Sequence, residues 1–114
     1  MIQIEEIHKG GRCFAFDSNF LADFAAWDRE LALLLAVEEG VTMQEDSWKA
    51  CHILREVFAL EQAPPVQRVL MKRFAAAVGR EVKEATLHFY QLFPQGPVQA
   101  QRIAGLPKPA RCCI

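Results

Sequence analysis

Thr42-Met43-Gln44-Glu45-Asp46-Ser47-Trp48-Lys49-Ala50-Cys51-His52-Ile53-Leu54-Arg55-Glu56-Val57-Phe58-Ala59-Leu60-Glu61 is the stretch on which the fold turns. Trp48, Cys51, Leu54, Val57 and Phe58 recur every three or four residues, which is the period of one helix face. Thr42-x-x-Glu45 has the form of a capping box, so the pattern predicts a helix over 43–61. Downstream, Pro64 and Pro65 break that helix and suit the start of another, through Val66, Val69, Leu70 and Phe74 to Gly79. Residues 80–93 read as a further helix with Leu87, Tyr90 and Phe93 inward, ended by Pro94, whose ring lacks an amide and clashes with the preceding turn. A short helical turn follows at 98–104. Upstream, Leu31, Leu34, Leu35 and Val37 predict a helix over 28–39 anchored by Trp27 and stopped by Gly40. Before it, Ile2, Ile4 and Ile7, then Lys9-Gly10-Gly11-Arg12, then Phe14 and Phe16 read as a hairpin over about residues 2–17. The expectation is a mainly α protein: a small orthogonal helical bundle with an N-terminal β-hairpin.

Composition fits one globular domain of 114 residues, 52% hydrophobic and 24% charged. No apolar run approaches the ~18 residues that cross a bilayer, and Met1-Ile2-Gln3-Ile4-Glu5-Glu6 has no basic start for secretion. A soluble, cytoplasmic protein with no membrane contact is expected. The net charge of −1 argues against a general neutraliser of nucleic acid. Its distribution is uneven: residues 1–63 hold 5 Lys/Arg against 12 Asp/Glu, net −7, and residues 64–114 hold 8 against 2, net +6. Within the basic half, Arg68, Lys72, Arg73, Arg80 and Lys83 form a candidate docking surface for an acidic partner, the chain's own terminal carboxylate or nucleic-acid phosphate.

Four cysteines, Cys13, Cys51, Cys112 and Cys113, could build a disulfide framework only in a secreted chain. There is no C-x-x-C pair, and His8, His52 and His88 stand at no zinc-site spacing, so neither metal nor cofactor is expected. Cys13 and Cys51 lie inside apolar patterns as small buried hydrophobes. The last ten residues, Gly105-Leu106-Pro107-Lys108-Pro109-Ala110-Arg111-Cys112-Cys113-Ile114, favour an extended path because of their two prolines. Residues 1–104 are thus the body and 105–114 a mobile arm, which can carry a thiol ~30 Å from its root. Lys108 and Arg111 favour the thiolate, the nucleophilic form, and the terminal carboxylate opposes it. A bond between Cys112 and Cys113 would be strained, since adjacent α-carbons are ~3.8 Å apart and relaxed disulfides need about 4.4 Å.

Leu92-Phe93-Pro94-Gln95-Gly96-Pro97, followed by Ile103-Ala104-Gly105-Leu106-Pro107-Lys108-Pro109 and a cysteine at the end, resembles the DsrC/TusE family of sulfur-trafficking proteins. The likeness extends through Trp27, Leu31-Ala32, Glu39-Gly40, Trp48, Arg55, Phe58, Pro65, Arg68, Leu70 and Lys72. It implies a compact helical bundle with a small hairpin and a mobile arm whose near-terminal cysteine carries sulfur as a persulfide. The implied donor is of the DsrEFH or TusBCD type. The implied acceptor is a tRNA 2-thiouridine synthase or a dissimilatory sulfite reductase, with tRNA contact at most indirect. DsrC members use a second arm cysteine about ten residues upstream. Gln99-Ala100-Gln101-Arg102-Ile103 has none, which places the chain nearer the single-thiol, TusE-like group. Counted forward from Lys108-Pro109 the carrier is Cys112, and counted back from the end it is Cys113. The segment after Gly96-Pro97 is one residue short of the family pattern and lacks its lysine.

Two rival readings come from other classes. Helices over 43–61 and 65–78 around a proline turn loosely match a helix-turn-helix of a nucleic-acid-binding regulator. The vicinal cysteines alternatively suit a redox-switch adaptor. No triad, metal site or phosphate loop is visible, so a covalent carrier fits better than a stand-alone enzyme.

Overall fold

The computed structural model describes residues 6–9, 12–17 and 20–107, with side chains from Phe14 onward. Ile2, Ile4 and Gly10-Gly11 of the expected hairpin, the side chain of Cys13, and Lys108, Arg111, Cys112 and Cys113 lie outside the described residues. Strand β1 (Glu6–Lys9) pairs antiparallel with β2 (Arg12–Asp17), with Lys9 opposite Arg12 and Ile7 opposite Phe14. Alternation then turns Phe14 and Phe16 to the same face, and both are buried. A further two-residue strand, β3 (Phe20–Leu21), pairs antiparallel with β2, giving the order β1-β2-β3. Two residues are too few to show a period, which is why the sequence pattern does not reveal β3.

Helix α1 (Arg29–Glu39) starts where Asp28 Oδ1 accepts the Leu31 amide at 2.8 Å and stops at Gly40, whose φ of 72° suits glycine. It buries Leu31, Ala32, Leu35 and Ala36, whereas Val37, expected on that stripe, is 76% exposed. Helix α2 spans Glu45–Glu61 and begins later than the Thr42 box implies. The Val41 amide is still bonded to Ala36 O at 2.8 Å, closing α1, and Ser47 Oγ accepts the Gln44 amide at 3.1 Å. Thr42 therefore lies in the exit from α1, and Gln44 is the N-cap. Cys51, Leu54 and Val57 are buried as expected, together with Ser47 and Ala50.

Helices α3 (Gln67–Val78) and α4 (Val82–Leu92) pack against each other, and α3 also packs on α2. α3 buries Leu70, Met71, Phe74 and Ala75, with Val66 just outside it and exposed. In α4 the inward residues are Ala85, Phe89 and Leu92, followed by Phe93. Leu87 and Tyr90, expected inward, are 64% and 39% exposed. The Phe89 ring sets the phase: it meets Phe74 edge-on at 5.3 Å and Phe93 at 5.1 Å. Burying this cluster turns the faces of Leu87 and Tyr90 outward. His88 Nε2 and Asp46 Oδ2, 2.8 Å apart, tie α4 to the first turn of α2, and that hydrogen bond is the main cause holding the Asp46 carboxyl below its ordinary pKa. Helix α5 (Pro97–Ile103) crosses α1, α2 and β3. Among the described residues, no helix is long and apolar enough to cross a membrane.

Candidate functional site: the root of the C-terminal arm

The last carbonyls of a helix lack intrahelical partners and carry the negative end of its dipole. At the end of α5 those carbonyls are met by side chains from distant parts of the chain. Trp27 Nε1 donates to Ile103 O at 2.9 Å. Arg55, on α2, donates through Nη1 to Ala104 O at 2.9 Å, with Gly105 O a longer contact at 3.5 Å, and through Nη2 to Phe24 O at 2.7 Å. Its guanidinium lies over the Phe24 ring at 3.9 Å and the Trp27 ring at 4.4 Å. Burial pulls the Arg55 pKa down from its ordinary value, with Cys51 opposing, but a guanidinium stays charged in a protein. One cation thus joins α2, the short 3-10 turn at Phe24–Ala26 and the end of α5.

Gly105 completes the clamp. Its φ is +73°, and a Cβ placed there would stand 2.2 Å from Trp27 Cδ1. Gly105→Ala therefore meets both a disfavoured backbone region and an occupied space. Its expected cost is about 2–4 kcal/mol, read from a denaturation midpoint, with tryptophan fluorescence reporting a displaced Trp27. Leu106, the next residue, is fully buried, and its amide bonds to Gln101 O at 3.1 Å.

The other side of α5 is fixed by a buried ion pair. Arg102 donates through Nε to Glu39 Oε2 at 2.8 Å and through Nη2 to Glu39 Oε1 at 2.7 Å, the bidentate form. Arg102 Nη2 also reaches Gln95 Oε1 at 3.0 Å, and Gln99 Nε2 donates to Glu39 Oε1 at 3.3 Å. Gln99 Oε1 accepts the Gln95 amide at 3.1 Å, which closes the network. No buried side-chain nitrogen or oxygen among the described residues is left without a partner. Gln101 is buried on the same helix.

Cys51 is fully buried, and burial pushes its thiol up to about 12, against the opposing effect of the Arg55 cation. It is a packed hydrophobe and no nucleophile at neutral pH. The five candidate docking residues that fall in the described part are all exposed: Arg68, Lys72 and Arg73 on α3, Arg80 between α3 and α4, and Lys83 in the first turn of α4. Arg68 and Lys72 share a face one turn apart. Arg73 Nη1 is 3.9 Å from Glu56 Oε1 on α2. None of them bonds to the clamp, which is built by Trp27, Arg55 and the end of α5. Among the described residues there is no group of three or more metal-ligating side chains.

Trp27 anchors the root of the arm, whereas the sequence pattern assigns it to α1. The polar roles of Glu39, Gln95, Gln99 and Arg102 are not evident from periodicity. One signal for Arg55 is present: it falls one turn after Cys51, on the apolar stripe of α2, where a cation needs a specific partner.

The model of the DsrC like protein family matches residues 9–113. Sulfurtransferase TusE of Pectobacterium atrosepticum is 39% identical over 104 residues, spanning 90% of this chain and 94% of that protein. The oxidized gamma-subunit of the dissimilatory sulfite reductase (DsrC) from Archaeoglobus fulgidus superposes with a TM-score of 0.80 at 35% identity, covering 94% of this chain and 98% of that one. DsrC of Allochromatium vinosum superposes with a TM-score of 0.81 at 34% identity, covering 95% and 97%. The helix-turn-helix regulator is not favoured by any of these likenesses. With a family model over residues 9–113, a relative 39% identical across nine-tenths of the chain and a superposition at a TM-score of 0.80, the chain belongs to the DsrC-like family.

Proposed function

We propose that this chain is a sulfur-relay carrier whose body, residues 1–104, presents an arm, residues 105–114, with Cys112 or Cys113 as the persulfide carrier. The arm thiolate attacks the outer sulfur of a donor persulfide. The donor's S–S bond breaks, the donor departs as a thiolate, and the arm cysteine keeps the transferred sulfur as its own persulfide. A second exchange hands that sulfur to an acceptor and restores the arm thiol. The donor is a DsrEFH- or TusBCD-like protein. The acceptor belongs to tRNA 2-thiouridine synthesis or to a sulfite reductase-like system, in the cytoplasm. The lack of a second arm cysteine at Gln101 or its neighbours in 99–103 favours simple single-thiol transfer.

The observation that carries this reading is the clamp at Ile103–Leu106. Arg55, Trp27 and Gly105 fix where the cysteine-bearing segment starts, and Cys51 is sealed away. Six residues beyond Pro107 span at most ~20 Å, enough to enter a partner's pocket. Exposing the chain to a persulfide donor and reading its intact mass should show a gain of one sulfur. Of Cys112→Ser and Cys113→Ser, one should abolish that gain and the other keep it. Full loading of both single variants and of the double variant would refute the reading.

A further inference from the structure

The outer face of α4 has no role in the core or in the clamp. At 100° per residue, Lys83, Leu87 and Tyr90 lie within about 60° of one another and roughly opposite the buried Ala85, Phe89 and Leu92. Leu87 and Tyr90 are the exposed pair of that stripe. It continues toward α5: a Cβ on Gly96 would stand 2.9 Å from Tyr90 Cε1, so the Tyr90 ring covers Gly96, and the half-exposed Val98 follows two residues later. A large aliphatic and a tyrosine on an outward face, flanked by a cation, have the composition of a protein-docking surface rather than of a solvated helix.

We propose, on the basis of the sulfur-relay reading, that this face is where the protein that donates sulfur to the arm docks. The expected donor surface is an apolar patch bordered by carboxylates. Charge selects the chemistry. Lys83 lies on the stripe and Arg80 just precedes the helix, while the exposed carboxylates of the segment, the N-cap Glu81 and Glu84 on α4, stand about 160° and 100° round the helix from Lys83. An acceptor that handles tRNA carries a basic surface, which Lys83 and Arg80 would repel, so the face fits the donor better than such an acceptor. Geometry agrees. α5 runs about 10 Å from Gly96 to the arm root. A donor seated on Leu87 and Tyr90 is then within the ~20 Å that the residues after Pro107 can span.

The test compares two sulfur sources on the full chain: a purified TusBCD-type donor charged as its persulfide, and inorganic polysulfide. Leu87→Asp should lower the rate of loading from the protein donor about tenfold and leave polysulfide loading unchanged. Lys83→Glu should slow loading from the donor and weaken its dependence on salt. Both side chains point to solvent, so thermal midpoints should match the parent, and Leu87→Ser serves if aspartate disturbs the helix. Unchanged donor loading in these variants would overturn the docking face. So would a parent that self-associates in sedimentation through Leu87, since a second copy would then be the occupant. A parent that takes sulfur from neither source refutes the carrier reading itself, whereas a parent that loads from polysulfide and never from the protein donor overturns only the docking face.

Discussion

Glu39→Ala is expected to cost about 3–5 kcal/mol of folding stability, the largest loss for any single charged side chain here. Glu39 and Arg102 keep only 5% and 8% of their side-chain surface in solvent and form a bidentate pair. Removing the carboxylate leaves a buried guanidinium with one partner, Gln95, and strips Gln99 of its acceptor. The cost is that of the stranded cation rather than the gross attraction of the pair. Glu39→Ala combined with Arg102→Met should therefore recover most of the loss, because burying two apolar groups avoids the desolvation. Denaturant midpoints of the two variants and of Glu38→Ala, at an exposed neighbouring position, make the comparison. Glu38→Ala should lie within about 0.5 kcal/mol of the parent. A Glu39→Ala chain as stable as Glu38→Ala would contradict the network.

Arg55→Ala should act more locally, weakening the hold on the end of α5 by about 3 kcal/mol while the global denaturation midpoint moves much less than in Glu39→Ala. Its guanidinium supplies charge-assisted hydrogen bonds to Ala104 O and Phe24 O and fills the space between the Phe24 and Trp27 rings. Without it the end of α5 has lost a fixed cation at its negative pole, and Trp27 alone holds Ile103 O. Hydrogen exchange at the Gly105 and Leu106 amides should then rise by roughly 10²-fold, with the Leu54 amide moving much less. Arg55→Lys keeps the charge as a single point that cannot bridge two carbonyls in the planar guanidinium geometry, so it should recover only part of the protection. Equal acceleration across the whole protein would make Arg55 a general stabiliser instead of a mooring for the arm.

The helices were legible because their causes are local. Asp28 and Gly40 bound α1, Gly79 ends α3, and Pro94 follows the end of α4, all by backbone chemistry written in one or two residues. The phase of α4 was not, because two apolar sets share that helix. Leu87 and Tyr90 look as suitable for a core as Ala85 and Phe89, and the choice is made by Phe74 on another helix. The Thr42 box failed for a related reason: the chain there still serves the cap of α1. The two prolines of the last ten residues and the resemblance at Phe93-Pro94-Gln95-Gly96-Pro97 and Ile103–Pro107 point to an arm whose residues beyond Pro107 lie outside the described ones. The clamp at its base could not be read from pattern, since Trp27 and Arg55 bond to main-chain oxygens 76 and 49 residues away, and carbonyls have no residue signature.

Sulfur loading discriminates most directly between the end of the chain and its interior. The intact chain, Cys51→Ala and Cys112→Ser/Cys113→Ser are each exposed to the same persulfide donor at neutral pH and weighed. The parent and Cys51→Ala should each gain one sulfur, because a buried thiol with a pKa near 12 offers no thiolate, while the double variant should stay at its starting mass. A double variant that gains sulfur, or a Cys51→Ala chain that does not, would contradict sulfur transfer through the arm.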